Sequence, residues 1–162
     1  MKNQIYNKVS IIIPHYNNYS ILDECLKSLK NISYENIEII IVDNNSTDNS
    51  IDFLTNNYPS VIILKLDSNK GFAEPNNIAA KIAKGDCLLF LNNDTIVTPN
   101  FISEMIVLIT FLQDVRLLFW IYKNFLIVFC IPCIPEVVDK LMRSQDETVD
   151  PDRTILLYSR FV

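Results

Sequence analysis

Four short apolar runs rich in β-branched residues alternate with longer amphipathic stretches over the first 110 residues. This alternation predicts βαβ units, because parallel strands that are covered by helices on both faces are apolar along their whole length. We expect a doubly wound, mostly parallel α/β sheet with the strand order 3-2-1-4. The predicted strands are Val9–Ile13, Ile37–Val42, Val61–Leu66 and Cys87–Leu91.

The stretches between these strands carry helical periodicity and signals for helix ends. Ser20 and Asp23 are spaced like a capping box at the start of the first helix. Thr47 or Ser46 can cap the second helix, and Gly85 is placed to stop the third. The expected helices are Ser20–Leu29, Ile51–Leu54, Asn76–Ala83 and a fourth from Thr98 to Ile109.

Composition limits the class of protein. The 162 residues are 49% hydrophobic, which excludes a disordered chain, and their number suits one domain. Lys and Arg total 14 against 19 Asp and Glu, a net charge of −5 without a basic cluster. Because nucleic acids require a concentrated basic surface, we expect no nucleic-acid partner.

The character of the chain changes near residue 110, which predicts a domain over residues 1–110 and a divergent segment over 111–162. Leu117–Ile134 is almost continuously apolar, and about 20 such residues can cross a bilayer. The alternatives are a segment that lies on the membrane or core strands. The charged tail ends in another strand-like piece, Ile155–Tyr158.

Location follows from the N-terminal sequence and the cysteines. Residues 1–8 are polar and the next apolar run is too short for a signal sequence, so we expect a cytoplasmic protein. The alternative is a protein that associates with the inner face of the membrane through residues 117–134. The four cysteines are predicted to be reduced core residues. Cys130 and Cys133 have the spacing of a redox pair, but the context of such a motif is missing.

Polar clusters follow three of the predicted strands, at residues 14–17, 43–48 and 92–95. Ligands of open α/β sheets bind at the carboxyl ends of the strands, so these clusters are expected to converge on one site. Neither a Gly-x-Gly-x-x-Gly turn nor a Walker loop is present. A carboxylate such as Asp43 can instead accept the N–H of a pyrimidine base, Tyr16 can stack on it, and Asp94 can bind Mg²⁺ or Mn²⁺ on a diphosphate.

Four motifs in order resemble the family 2 glycosyltransferases, whose nucleotide-binding fold is called GT-A. The resemblance covers Val9 to Phe101, more than half of the chain. It is carried by Val9–Asn17, by Ile41–Asp48, by Asn69–Ala73 with Asn77, and by Phe90–Thr95.

The resemblance implies a role for each matched position. Asn92 stands where the family often has a first aspartate, a variant similar to members that transfer rhamnose or galactofuranose. His15, the only histidine, is expected to shape the pocket rather than to do chemistry. The implied sets are Pro14, Tyr16, Asn17, Asp43 and Asn45 for the nucleotide, Lys70, Gly71, Phe72, Asn77, Asn92 and Asn93 for the diphosphate and donor sugar, and Asp94 for the metal.

The implied reaction is transfer of a sugar, with inversion, from a nucleotide-diphosphate sugar to an acceptor hydroxyl in cell-surface polysaccharide or glycan synthesis. A glycan or a lipid-linked molecule is the implied acceptor. Residues 145–147 and 150–152 are acidic but lack the family pattern, so we assign no catalytic base. One alternative is a donor-binding remnant with impaired catalysis. Another is a phosphate-accepting receiver domain, which lacks the expected paired acids after the first strand.

Overall fold

A computed structural model describes residues 8–107 and, as backbone only, two later strands. The strands are β1 (Val9–His15), β2 (Ile37–Asp43), β3 (Ile62–Lys65), β4 (Cys87–Leu91), β5 (Leu126–Phe129) and β6 (Thr154–Tyr158). The helices are α1 (Tyr19–Lys30), α2 (Ser50–Asn57), α3 (Ala73–Ile82) and a fourth, α4, whose described part covers 101–107.

The strands form one sheet in the order β3-β2-β1-β4-β6-β5. All neighbours pair in parallel except β5, which runs antiparallel to β6. The predicted order 3-2-1-4 is confirmed, and the strand-like piece near the C-terminus joins the same sheet beside β4. The domain boundary near residue 110 stays a prediction.

Helices pack on both faces of this sheet, as the apolar strands predict. On one face, Leu22 and Leu26 of α1, Leu54 of α2 and Ile102 of α4 join a core with the side chains of β1 and β4. On the other face, small residues of α3 lie against Ile12, Ile40, Val42, Leu88 and Phe90. The central strand β1 is therefore buried from both sides, and it pairs with β2 and β4.

Four details of the sequence prediction are wrong. β3 is not buried on both sides, since Ile62 and Lys65 are exposed at the edge of the described sheet. The capping box does not form: Asn18 is the N-cap of α1, and Asp23 instead accepts from the Tyr58 hydroxyl and pairs with Lys27.

The other two errors concern helix ends. α2 begins at Ser50 after Asn49, so neither Thr47 nor Ser46 is its cap. α3 ends at Ile82 because Ala83 adopts an extended conformation, before Gly85 is reached. A Cβ atom at Gly85 would lie 2.6 Å from the backbone nitrogen of Ser10. Glycine is needed there for close approach to β1 and not to stop the helix.

A charged cluster ties the amino ends of three strands together. Glu38 of β2 accepts hydrogen bonds from the Ser10 hydroxyl of β1 and from the Lys84 backbone N–H, both at 2.5 Å. Its second oxygen lies 3.0 Å from the Lys8 ammonium. The Ser10 hydroxyl in turn accepts the Gly85 N–H at 2.8 Å. This cluster lies at the opposite edge of the sheet from the predicted site.

Two predictions about the remaining residues can be compared only in part. Cys25 and Cys87 are buried in the core, as expected, whereas Cys130 and Cys133 lie outside the described residues. Of Leu117–Ile134 the structure describes only the strand β5. Among the helices that it describes, none combines the length and the apolar character that a membrane crossing requires.

Candidate functional site

A cleft of about 390 Å³ opens at the carboxyl edge of the sheet, where β1, β2 and β4 end side by side. The strands are in register there, with His15 of β1 opposite Asp43 of β2. The three polar clusters predicted to converge therefore do meet at one edge. The cleft is lined by Pro14, His15, Tyr16, Asn44, Asn69, Gly71, Phe72, Asn92 and Asn93.

His15, at the end of β1, is joined through its two ring nitrogens to the loop after β4 and to the first residue of α2. Nδ1 lies 3.1 Å from Nδ2 of Asn93, and Nε2 lies 2.9 Å from the Ser50 hydroxyl. An amide nitrogen can only donate, so Nδ1 accepts and the proton resides on Nε2, which donates to Ser50. The Ser50 hydroxyl then donates to Asp48. The imidazole thus works as a neutral bridge within the wall of the cleft.

Burial keeps this imidazole neutral. His15 is 1% exposed, and desolvation lowers its pKa below 6.5, although the nearby carboxylates of Asp43 and Asp48 act in the opposite direction. For Asp48, burial raises the pKa, but hydrogen bonds from the Ser50 side chain and from the backbone of Ser50 and Asn18 outweigh it and lower the pKa overall. The pair is therefore a neutral histidine beside an ionised aspartate.

Asp43 ends β2 with a carboxyl group that is only half satisfied. It is 1% exposed, and Oδ1 accepts the backbone N–H of Ser46 at 3.2 Å. Oδ2 is buried without a hydrogen-bond partner among the described residues. Asp43 itself does not line the cleft, but both His15, opposite it in the sheet, and Asn44, next along the chain, do. A buried acceptor without a donor is costly and suits a site that receives an N–H group.

Two exposed aromatic rings line the cleft. Tyr16 is 49% exposed and Phe72 is 52% exposed, although large aromatic side chains are usually buried. Tyr16 follows β1 directly, and Phe72 precedes α3. Their ring faces are available for a planar or a sugar ligand.

Asn17 and Asn45 occupy the left-handed region of the backbone, with φ values of 55° and 65°. Asparagine tolerates this conformation better than most residues, which is a sufficient structural reason for both. Asn17 also links two loops, since its N–H donates to the Ser46 hydroxyl and its Oδ1 accepts the Thr47 N–H, both at 2.8 Å. Neither residue lines the cleft, and their assignment to the nucleotide stays a prediction.

The residues predicted for the diphosphate and donor sugar are divided between the cleft and its surroundings. Gly71 lines the cleft with φ +74°, and a Cβ there would meet nothing within 4 Å, so only the backbone conformation requires glycine. The Lys70 ammonium lies 3.1 Å from Glu74 and 3.6 Å from Asp67. Those carboxylates raise its pKa, with Glu74 the larger cause. Asn77 is half-buried on α3 and does not line the cleft.

Asn92, Asn93 and Asp94 follow β4 at the same edge of the sheet. The two amides line the cleft, and Asp94 is exposed next to them. Among the described residues there is no group of three or more His, Cys, Asp or Glu that could form a metal cage. One exposed carboxylate still fits Mg²⁺ or Mn²⁺, which take few protein ligands and complete their shell with water and substrate phosphates.

Sequence reasoning gave no role to three residues of the site: Asn69, which lines the cleft, Asn44 and Ser50. Asn44 and Ser50 are buried, and their side chains join loops that are distant along the chain. Asn44 stood within a polar cluster, but nothing in the local sequence distinguishes it from the turn-forming Asn45. The signal for its role lies in tertiary contacts.

The strand order with polar loops at the carboxyl edge is the arrangement of the GT-A glycosyltransferases. The family model described as Glycosyl transferase family 2 matches residues 10–126. The chain therefore belongs to this family, and the predicted resemblance is confirmed.

Similar proteins agree with this membership. Poly(ribitol-phosphate) beta-glucosyltransferase of Bacillus spizizenii is 43% identical over 93 residues, which is 54% of this chain and 15% of the relative. The Escherichia coli UDP-Glc:alpha-D-GlcNAc-diphosphoundecaprenol beta-1,3-glucosyltransferase WfaP is 35% identical over 80% of this chain and 53% of its own length.

A solved structure is also similar. TarS 1-349 of S. aureus in complex with UDP-GlcNAc superimposes with a TM-score of 0.58 at 26% identity, covering 66% of this chain and 31% of that one. The chain spans at most about half of the length of these three proteins.

Proposed function

We propose that this chain binds a nucleotide-diphosphate sugar in the cleft and transfers the sugar, with inversion, to an acceptor hydroxyl during polysaccharide or glycan synthesis. The observation that carries the proposal is the buried Oδ2 of Asp43, which lacks a donor beside a cleft built from three strand ends. An imide N–H, such as N3–H of uracil, would satisfy this oxygen. Tyr16 would offer its ring to the base.

The diphosphate and the sugar would lie toward β4 and the loop of Gly71 and Phe72. Asp94 would hold Mg²⁺ or Mn²⁺, which neutralises charge on the departing diphosphate when bound. Asn92 and Asn93 line the cleft next to it and can bind ligand hydroxyls or phosphate oxygens through their amides. We name no catalytic base. The acceptor, whether a glycan or a lipid-linked molecule, and a cytoplasmic location stay predictions.

The names of the relatives suggest a first donor to test. WfaP is named for UDP-Glc, and a TarS structure contains UDP-GlcNAc. A uracil base carries the N–H that Asp43 needs, so UDP-glucose with Mn²⁺ is the starting ligand. The alternative that this chain binds the donor without transferring it predicts calorimetric heat but no product with a glycan acceptor.

Calorimetry on two variants tests the assignments. Asp43→Asn can place an NH₂ donor where the Oδ2 acceptor faces the N–H of the base. Because a hydrogen bond to a charged group is worth about 1.5–3 kcal/mol, its loss should weaken UDP-glucose binding roughly 10- to 100-fold. Asp94→Ala should weaken binding with Mn²⁺ more than binding with EDTA. Asp52→Asn on the exposed face of α2 is the matched control.

Three outcomes would contradict parts of the proposal. If UDP-glucose and the corresponding guanine, thymine and cytosine donors all fail to bind the wild-type chain, the proposed function is wrong. Equal affinity of Asp43→Asn and Asp52→Asn for UDP-glucose would show that Asp43 does not bind the base. Identical heats of UDP-glucose binding for Asp94→Ala and wild type in Mn²⁺ would show that Asp94 does not bind the metal.

A further inference from the structure

The side chain of Asn44 bonds to the backbone of a loop that lies 26 to 27 residues further along the chain. Its Nδ2 donates to the carbonyl of Gly71 at 2.7 Å, and its Oδ1 accepts the backbone N–H of Lys70 at 2.8 Å. Its own backbone N–H donates to the carbonyl of His15 at 2.8 Å. Asn44 is 4% exposed, and its two side-chain bonds to the loop are partly buried.

The two loop partners fix the orientation of this amide. Gly71 offers a carbonyl, which can only accept, and Lys70 offers an N–H, which can only donate. The loop therefore requires a side chain with one donor and one acceptor spaced as in a primary amide. Ionised aspartate cannot replace it, because a carboxylate only accepts. Asn44 also has no positive φ, unlike Asn17 and Asn45, so its backbone does not explain the choice of residue.

Residues 69–72, which we name the donor loop, provide three of the residues that line the cleft: Asn69, Gly71 and Phe72. Its other hydrogen bonds are local. Asn69 Oδ1 accepts the N–H of Gly71, and Asn76 Nδ2 donates to the carbonyl of Phe72. Within the described part of the chain, the bonds that fasten this loop to the ends of the sheet come from Asn44.

We propose that Asn44 is a positioning residue that holds the donor loop against the sheet edge in the conformation that receives the diphosphate and sugar. The inference rests on the proposed function, because it assumes that the loop contacts the sugar-nucleotide. Asn44 lines the cleft, but the loop engages both its Nδ2 and its Oδ1, so we expect it to act through the loop. It should therefore matter for the diphosphate-sugar part of the donor and not for the nucleobase, which lies toward Asp43 and Tyr16.

Calorimetry with two ligands that share a base separates these parts. UMP reports on the nucleobase end, and UDP-glucose with Mn²⁺ reports on the whole donor. In Asn44→Asp and Asn44→Ser we expect UDP-glucose to bind about tenfold more weakly or worse, and UMP to bind within about twofold of wild type. Asn57→Asp is the matched control, since Asn57 donates to a backbone carbonyl on the exposed side of α2.

A purely structural role would weaken both ligands in parallel, and that result would overturn the inference. Equal affinity of Asn44→Ser and wild type for UDP-glucose would overturn it as well. If wild type binds neither UMP nor UDP-glucose nor their guanine, thymine and cytosine counterparts, the failure belongs to the proposed function and not to Asn44.

Hydrogen exchange of the unliganded wild-type chain keeps the inference testable if the variants do not fold. The Lys70 amide should exchange at least tenfold more slowly than an unstructured amide, because Asn44 accepts its hydrogen inside the protein. Exchange of Lys70 at the unprotected rate would show that the loop is not held, and the inference would be wrong.

Discussion

Acidification between pH 7 and pH 5 should destabilise the protein through one group, His15. Burial lowers its pKa in the folded state below the usual 6.5, against the opposing effect of Asp43 and Asp48. Between the two pKa values, the imidazole is neutral in the folded state and protonated in the unfolded state. The contribution of neutral His15 to the free energy of unfolding is therefore fully present above pH 6.5 and is lost as the pH falls toward the folded-state pKa. No other side chain in the sequence is a histidine.

The cost of removing the imidazole follows from its contacts. His15→Ala loses the bonds to Asn93 and Ser50, each about 0.5–1.5 kcal/mol, and leaves a cavity at a site that is 1% exposed. With the cavity included, we expect the free energy of unfolding at pH 7.5 to fall by about 2–4 kcal/mol. His15→Gln retains a neutral polar side chain, so its loss of unfolding free energy should be smaller. Glutamine also cannot titrate.

Urea unfolding of untagged protein at pH 5, 6, 7 and 8 measures this prediction. Wild type should lose stability steadily from pH 7 to pH 5, whereas His15→Gln should be flat over that range. Proton NMR of the imidazole gives the pKa directly, since the sequence contains one histidine. A folded-state pKa at or above 6.5, or equal slopes for wild type and His15→Gln, would refute the reasoning.

Three further predictions concern the sheet and its core. Glu38→Gln should lower the free energy of unfolding at pH 7 by about 1–3 kcal/mol, because it weakens the bonds from Ser10 and Lys8. Burial raises the pKa of Glu38, but these bonds outweigh burial and lower the pKa overall. In urea unfolding, the difference between wild type and Glu38→Gln should therefore vanish as the pH falls well below 4.5. Gly85→Ala should destabilise by about 1–3 kcal/mol because its Cβ meets backbone at 2.6 Å, and an unchanged melting temperature would contradict this. Burial raises the pKa of Cys25 to about 12, so iodoacetamide at pH 8 should label Cys25 only after denaturation, as judged by peptide mass spectrometry.

The strands were predictable because burial on two sides leaves a continuous apolar run. β4 matches its predicted bounds, and β1 differs only by two added residues, Pro14 and His15, at its carboxyl end. The helix caps were not predictable, because local patterns compete with tertiary partners. Asp23 is drawn to Tyr58 and Lys27, and Asn18 takes the capping position instead.

The site divides in the same way. Tyr16, Asn92 and Asn93 follow directly from strand ends, so sheet order alone places them at one edge. The roles of Asn44 and Ser50 depend on partners many residues away, to which no spacing rule applies. The resemblance implies Lys70 for the diphosphate and donor sugar, and this assignment stays a prediction. Its ammonium contacts Asp67 and Glu74, which no spacing rule applied to the sequence predicted.

The bridge that His15 makes has a consequence for the order of folding. Its partners lie 35 and 78 residues further along the chain, so the bridge cannot close until β4 has joined the sheet. A nascent chain that has not yet emerged past residue 93 has no complete cleft, however well its first helices have formed. Because such long-range pairings are slow to form, binding of the proposed nucleotide donor during synthesis would report the stage at which β4 joins the sheet.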